Sequence, residues 1–175
     1  MDVIETSNPK EMLPGYAVAL VDELLLHNKQ LAVAESCTGG LVAKTITDVS
    51  GASNVFHCGI VSYSNGVKTE VIGVDKDFLL ENGPVNMETA IMMADGVRKL
   101  GHAAIGIGIT GVAGPGSDGG HPEGEIYIAL SDGIDNIGIS LDTKTVNKRE
   151  YNRELAALNA INLVLSYLKN RKEEE

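Results

Sequence analysis

The chain has 175 residues, 43% of them hydrophobic and 22% charged, which suits one compact α/β domain with a core of its own. A formal net charge of −10 without a basic run argues against binding nucleic acid through its phosphates, but leaves room for a small anionic ligand held by a local cluster of donors. Cys37 and Cys58 are too few for a disulfide framework and fit no zinc spacing. The start Met1-Asp2-Val3-Ile4-Glu5 is no signal peptide, and no stretch reaches the ~18 apolar residues of a membrane helix. A cytoplasmic protein is expected, with no metal, no cofactor and neither nucleic acid nor membrane as partner.

Residues 1–9 are polar and expected to be loose. From Pro14 onward Ala17, Leu20, Val21, Leu24 and Leu25 recur at helical spacing, and Leu31 to Ala34 is an apolar run that reads as a buried strand. After the turn Ser36-Cys37-Thr38-Gly39-Gly40, a helical stripe resumes at Leu41, Val42, Thr45, Ile46 and Val49, with Gly51 just beyond its end. Val55 to Tyr63 reads as a strand, Ser64-Asn65-Gly66 as a turn, and Lys68 to Ile72 as a short helix. Asn86 caps a helix that carries Ala90, Met93, Ala94, Val97 and Leu100 on one face. Ala103 to Thr110 is a central strand and Gly111 to Gly124 a loop. Glu125 to Leu130 and Ile137 to Leu141 form a strand pair about the turn Asp132-Gly133. A last helix buries Leu155, Leu158, Ile161, Leu165 and Leu168, and residues 170–175 fray into a charged tail. The alternation predicts a single domain over 1–175: a three-layer α/β/α sandwich around a mixed, mostly parallel sheet with a C-terminal strand pair.

The turn after the first strand is the first candidate for chemistry. A strand end feeding Ser36, Thr38, Gly39 and Gly40 into a helix aims unpaired N–H groups at one spot, and the glycines let a ligand approach the backbone. A serine there can be a nucleophile with an oxyanion site beside it. The same turn also reads as a plain helix cap, although a Gly-Gly pair in that place weakens the first turn of a helix. None of His27, His57, His102 and His121 pairs with an acid in sequence. Lys68, which with Tyr63 flanks one turn, is the other candidate base, since a desolvated lysine loses its proton near neutral pH; its alternative is a solvated surface lysine.

Gly106-Ile107-Gly108-Ile109-Thr110-Gly111 formally matches a dinucleotide fingerprint, but Gly114-Pro115-Gly116-Ser117 and the glycines beyond cannot open a helix, and no Gly-Lys-Ser/Thr makes it a phosphate loop. Thr110 then stands at a strand end running into a loop that can wall a pocket. Arg149 and Arg153 sit one turn apart at the start of the last helix, where cations oppose the dipole unless an anion is near; a solvated face is the alternative.

Ala34-Glu35-Ser36-Cys37-Thr38-Gly39-Gly40-Leu41, Tyr63-Ser64-Asn65 with Lys68, Thr110-Gly111-Val112-Ala113-Gly114-Pro115-Gly116, and Arg149 before the last helix together resemble the CinA C-terminal domain family, the nicotinamide-nucleotide amidohydrolases (NMN deamidases). The resemblance covers about residues 15 to 168. It implies the three-layer fold and a metal-free conversion of nicotinamide mononucleotide to nicotinate mononucleotide and ammonia. Ser36 matches the nucleophile, with Tyr63 and Lys68 assisting. Thr38, Gly39, Gly40, Thr110, Gly111 and Arg149 match the substrate site, Arg149 as phosphate partner. A homodimer is implied as well. The family's larger architecture has a further N-terminal domain with no counterpart in this sequence.

Residue chemistry then suggests attack by Ser36 on the carboxamide, with Lys68 taking the proton directly or through Tyr63, and amides near Thr38 to Gly40 or beside Thr110 holding the oxyanion. Two departures bear on the substrate. Glu123 and Glu125 stand where the family has uncharged residues and would repel a phosphate if they lined the pocket, and Gly66 replaces a commonly acidic residue. Two rivals stay open: a non-catalytic nucleotide-binding module on this fold, and Cys37 as the nucleophile.

Overall fold

A computed structural model describes residues 2–171, so most of the charged tail expected to fray, residues 172–175, lies outside the described residues. Five strands form one sheet in the order β2-β1-β3-β4-β5: β1 Leu31–Glu35, β2 Phe56–Val61, β3 Ile105–Gly111, β4 Glu125–Ser131 and β5 Asn136–Asp142. β2, β1 and β3 are parallel, β4 is antiparallel to β3, and β5 is antiparallel to β4. Only β4 therefore opposes the others, and the expected mixed sheet with a terminal strand pair is what forms.

β1 is buried throughout, and its two faces feed different layers. Leu31 and Val33 join the main core, packed with α1 (Pro9–Leu26), α2 (Leu41–Thr47) and α6 (Arg149–Arg171). Ala32 and Ala34 face Met93 and Val97 of α5 (Met87–Leu100), with Leu79 of α4 (Lys76–Asn82) in the same cluster. Small residues on that face let the helix come close. The same reason explains the glycines of β3. A Cβ on Gly106 would lie 2.0 Å from the Ala94 carbonyl oxygen, and one on Gly108 would lie 2.1 Å from that of Ala90, so α5 rests on bare backbone. The apparent dinucleotide fingerprint is a helix-packing feature.

Several boundaries differ from the sequence pattern, for physical reasons. α1 begins at Pro9, where a proline suits the first turn, and runs through Pro14. Leu25 and Leu100, expected on buried stripes, are 47% and 45% exposed at the ends of their helices. α4 was not legible, because Leu79 is its single buried residue and so no stripe marks it; Asp75 caps it by accepting from the Phe78 amide at 2.7 Å. α3 (Asn65–Glu70) begins before the expected Lys68, since Ser64 accepts from the Val67 amide. Asn86 caps α5 as expected, accepting from the Thr89 amide at 2.8 Å. The polar N-terminal segment lies along α6: the Asn159 side chain accepts from the Ile4 amide and donates to the Ile4 carbonyl, and the Tyr151 hydroxyl donates to the Thr6 carbonyl. Among the described residues, no helix is long and apolar enough to cross a membrane.

The topology decides where a ligand can sit. From β1 the chain leaves toward β2, and from β3 it leaves the other way toward β4. In open sheets such a parting of connections at the C-terminal strand ends leaves a crevice. Ser36, Ser62 and Thr110 sit at or just beyond the C-terminal ends of β1, β2 and β3.

Candidate active site

A cleft of about 280 Å³ opens at these strand ends, and Ser36, Tyr63, Lys68, Thr110, Gly111 and Arg149 all line it. Six of the nine site residues read from the sequence, contributed by β3, α3, α6 and the segments just after β1 and β2, thus meet at one place.

At its floor, Lys68 Nζ donates to Ser36 Oγ at 3.2 Å and to the Ser62 carbonyl at 2.6 Å. Lys68 is 1% exposed, and burial pulls its ammonium from 10.5 down to about 8. The surface-lysine alternative is thereby excluded. No histidine lines the cleft; His57 instead contacts the Gly101 carbonyl on the outside of the sheet. Lys68 meets Ser36 without an intermediary. Tyr63, 60% exposed, stands at the mouth, where its hydroxyl accepts from Arg149 Nη2 at 3.2 Å. Arg149 Nη1 also donates to the Gly114 carbonyl at 2.5 Å, which leaves the remaining guanidinium donors free for an anion in the cleft.

Cys37 follows Ser36 into the turn, but its side chain belongs to the main core, and burial pushes the thiol up to about 12. An activated thiolate needs the opposite shift, and Cys37, though it lines the cleft beside Ser36, has no base bonded to it as Ser36 has Lys68. Thr110 is buried and its hydroxyl donates to the Pro84 carbonyl at 2.7 Å, so it shapes the wall through that bond. Gly111 has φ +154 and a Cβ there would lie 2.5 Å from the Glu125 carbonyl oxygen, which leaves no room for a side chain at the strand end.

Thr38, Gly39 and Gly40 lie behind Ser36 and do not line the cleft. Their amides are mostly spoken for. Gly39 N–H donates to the Ser36 carbonyl at 3.1 Å and Gly40 N–H to Glu35 Oε2 at 3.0 Å. Gly39 and Gly40 have φ of +61 and +91, so they turn the chain into α2. Arg153, read as a second anion partner, does not reach the cleft either. Its Nε and Nη2 donate to the Thr38 carbonyl at 3.2 and 2.7 Å.

Glu123 and Glu125 are both outside the cleft lining. Glu123 is 8% exposed and accepts from the amides of Lys148 (2.7 Å), Asn147 (3.0 Å) and Gly116 (3.1 Å), bonds that hold its carboxyl below the usual range. Glu125 accepts from the Tyr127 hydroxyl at 2.6 Å and contacts His121 at 3.1 Å; the tyrosine bond lowers its carboxyl too. Neither side chain meets a ligand in the cleft directly, though Glu123 stands behind Gly114 and Gly116 of its wall.

Sequence reasoning missed Glu35, Asn65 and Asp118. The last two line the cleft, Asn65 from a motif that carries the resemblance and Asp118 from the loop expected to wall a pocket, though neither residue is singled out there. Glu35 had a signal: a lone acid closing an apolar strand, directly ahead of a helix start. Among the described residues, no group of three His, Cys, Asp or Glu side chains is placed to hold a metal ion.

With this geometry in hand, comparison with known proteins is informative. The profile of the CinA C-terminal domain matches residues 15–168. A CinA-like protein of Syntrophus aciditrophicus (strain SB) is 48% identical over 128 residues, 73% of this chain and 30% of that protein. A CinA-like protein of Amoebophilus asiaticus (strain 5a2) is 39% identical over 165 residues, 90% of this chain and 39% of that protein. The chain thus spans about a third of the length of such relatives. Among solved structures, the competence/damage inducible protein CihA from Agrobacterium tumefaciens superposes with a TM-score of 0.84 at 26% identity, covering 97% of this chain and 99% of that one. A competence-damaged protein (CinA) superfamily protein from Escherichia coli gives 0.86 at 24% identity, covering 95% of each, which speaks for the fold alone.

Proposed function

The chain belongs to the CinA C-terminal domain family, and on that premise we propose that it is a serine amidohydrolase that converts nicotinamide mononucleotide to nicotinate mononucleotide and ammonia. One observation carries the reading: a buried lysine, held near pKa 8, bonded directly to a serine hydroxyl at the mouth of a parallel strand pair. A solvated cap or a mere ligand-binding turn has no use for a desolvated lysine.

Neutral Lys68 takes the proton from Ser36 Oγ as it attacks the carboxamide carbon. The carbonyl π bond opens to an oxyanion. When it re-forms, the C–N bond breaks, and the Lys68 ammonium gives its proton to the departing nitrogen, which leaves as ammonia. Water then adds to the Ser36 ester while Lys68 again accepts a proton, and returning that proton to Ser36 Oγ releases the carboxylate. One lysine near pKa 8 serves both directions, since it is neither too basic to release the proton nor too weak to take it. Tyr63 acts through Arg149, which it steadies for the substrate phosphate. A homodimer, implied by the same resemblance, belongs to this proposal and is checked by light scattering.

Ammonia release from a panel of pyridine amides and their nucleotides tests the reading. Nicotinamide mononucleotide should be the best substrate, Ser36→Ala should abolish release, and Cys37→Ala should lower it far less. No release from any member by folded protein would leave a binding module; an active Ser36→Ala beside a dead Cys37→Ala would move the nucleophile.

A further inference from the structure

Glu35 is 1% exposed and, among the described residues, has no cation as partner. Burying a lone carboxylate is expensive unless hydrogen bonds replace its water. Here three backbone amides do so: Gly40 and Val42 donate to Oε2 at 3.0 and 3.1 Å, and Ala43 donates to Oε1 at 2.8 Å. An ordinary cap such as Ser or Asp at the helix start would satisfy α2 more cheaply, since it stays near solvent. Gly39 N–H donates to the Ser36 carbonyl and Leu41 N–H to the Thr38 carbonyl. Every amide from Gly39 to Ala43 is therefore occupied within the turn.

The two amides directly after the nucleophile are different. Cys37 N–H and Thr38 N–H donate to no oxygen among the described residues. The Cys37 amide meets only its own sulfur, at a residue that lines the cleft, whereas Thr38 is fully buried behind it. The amide following a nucleophile is the usual place for an oxyanion donor. The Thr38 carbonyl is gripped from α6 by two Arg153 donors, so the peptide after Thr38 is fixed from the opposite side. A Cβ on Gly39 would lie 3.3 Å from Arg153 Nη2, which shows how closely the clamp fits the turn.

We propose that Glu35 and Arg153 are a pair of positioning residues that hold the 37–38 backbone so that the Cys37 amide receives the oxyanion formed on the Ser36-bound acyl carbon. Neither side chain lines the cleft, so both act through the turn. The inference rests on the acyl-transfer reading and narrows it. Glu35 keeps the amides of α2 from competing for the negative charge, and Arg153 keeps the turn from rotating.

Wild type, Glu35→Gln and Arg153→Met are compared for kcat and KM in ammonia release from nicotinamide mononucleotide. Affinity is measured for nicotinate mononucleotide, which makes no oxyanion, and for pyridine-3-boronic acid, whose boron becomes tetrahedral on a serine. Glu35→Gln should lower kcat and boronate affinity by about 10²-fold, the scale of a lost oxyanion donor. KM and product affinity should stay within about twofold, because binding before chemistry does not use the Cys37 amide. Arg153→Met should follow the same split to a smaller degree. A folded Glu35→Gln with kcat within about threefold of wild type overturns the proposal, since an oxyanion defect must appear in kcat. An Arg153→Met that raises KM and weakens product binding at unchanged kcat makes Arg153 a substrate residue and also overturns it. Should Glu35→Gln not fold, Arg153→Met decides alone. If wild type releases no ammonia from any pyridine amide, the amidohydrolase reading falls. The positioning claim is then judged on boronate affinity, which must drop in both variants to stand.

Discussion

Glu35 and Glu123 make an instructive pair. Each is a buried glutamate and each accepts three backbone amides, Glu35 from the start of α2 and Glu123 from Gly116 of the glycine loop and from Asn147 and Lys148 just ahead of α6. They differ in what they steady. Glu35 holds the turn that presents Ser36, on the floor of the cleft. Glu123 ties Gly116 to Asn147 and Lys148, and so fixes the glycine loop and Arg149 at the rim; a Cβ on Gly114 would meet its Cδ at 2.2 Å. On the proposed reading, the same device thus serves chemistry on one side and binding on the other. The role of a buried acid comes from the backbone it gathers, and its formal charge alone says little.

The widest test of that division is Lys68→Met. Loss of the floor's base should lower ammonia release by about 10⁴-fold, at the upper end for a general base. The same variant should be more stable, which no rim variant should be. Holding Lys68 at about 8 against an ordinary 10.5 opposes folding by about 3 kcal/mol at neutral pH. The lost bond to the Ser62 carbonyl returns about 1 kcal/mol of that. A gain of roughly 4–8 °C in Tm, read by calorimetry, is the expected balance. Between about 8 and 10.5 the unfolded chain keeps a proton that folded Lys68 has released, so wild-type stability should rise with pH across that window, and Lys68→Met should flatten the rise.

Next in size is the pH profile. Lys68 must be neutral to accept the Ser36 proton, so kcat/KM should climb about tenfold per pH unit and level off above about 8. A profile already flat from pH 6 would take Lys68 out of the proton's path.

The rim should respond more mildly and in the other constant. Glu123→Gln leaves three amides sharing a weaker acceptor, so KM should rise by roughly tenfold with kcat little changed, as for a loss of uniform binding. Because its amide partners, that of Lys148 foremost, depress the Glu123 carboxyl, its contribution to stability is present above the ordinary glutamate range and disappears as pH falls through the folded value. Thermal melts from neutral pH into acid should show a shallower decline in Glu123→Gln than in wild type. A kcat loss in Glu123→Gln equal to that of Glu35→Gln would erase the distinction between floor and rim.

Much of this was legible in the chain itself. Alternating apolar runs and helical stripes marked all five strands and α1, α2, α5 and α6, because their burial leaves a periodic imprint. α4 had no imprint, with one buried residue. The glycines of β3 stand out in the chain but their purpose does not: Gly106 and Gly108 accept the backbone of α5, an element about a dozen residues earlier that no local pattern joins to them. At the site, motifs pick out Ser36, Lys68, Thr110, Gly111, Tyr63 and Arg149, and all six meet in one cleft. Thr38, Gly39 and Gly40 carry a nucleotide-binding look, yet their role is to shape the turn.

The sequence by itself determined the sheet-and-helix order, the nucleophile turn and the residues able to do the chemistry, because these depend on periodicity and on residue type. Only the tertiary structure decided who serves whom. Lys68 became a desolvated amine through burial against Ser62 and Ser36, 32 residues away from the latter. Arg149 became a rim cation and Arg153 a backbone clamp, though they sit one turn apart on the same helix. Glu35 came to solvate the start of α2 and Glu123 to tie the glycine loop to the segment ahead of α6, and neither lines the cleft. Desolvation and hydrogen bonding set a side chain's chemistry, and both are supplied by segments distant in sequence.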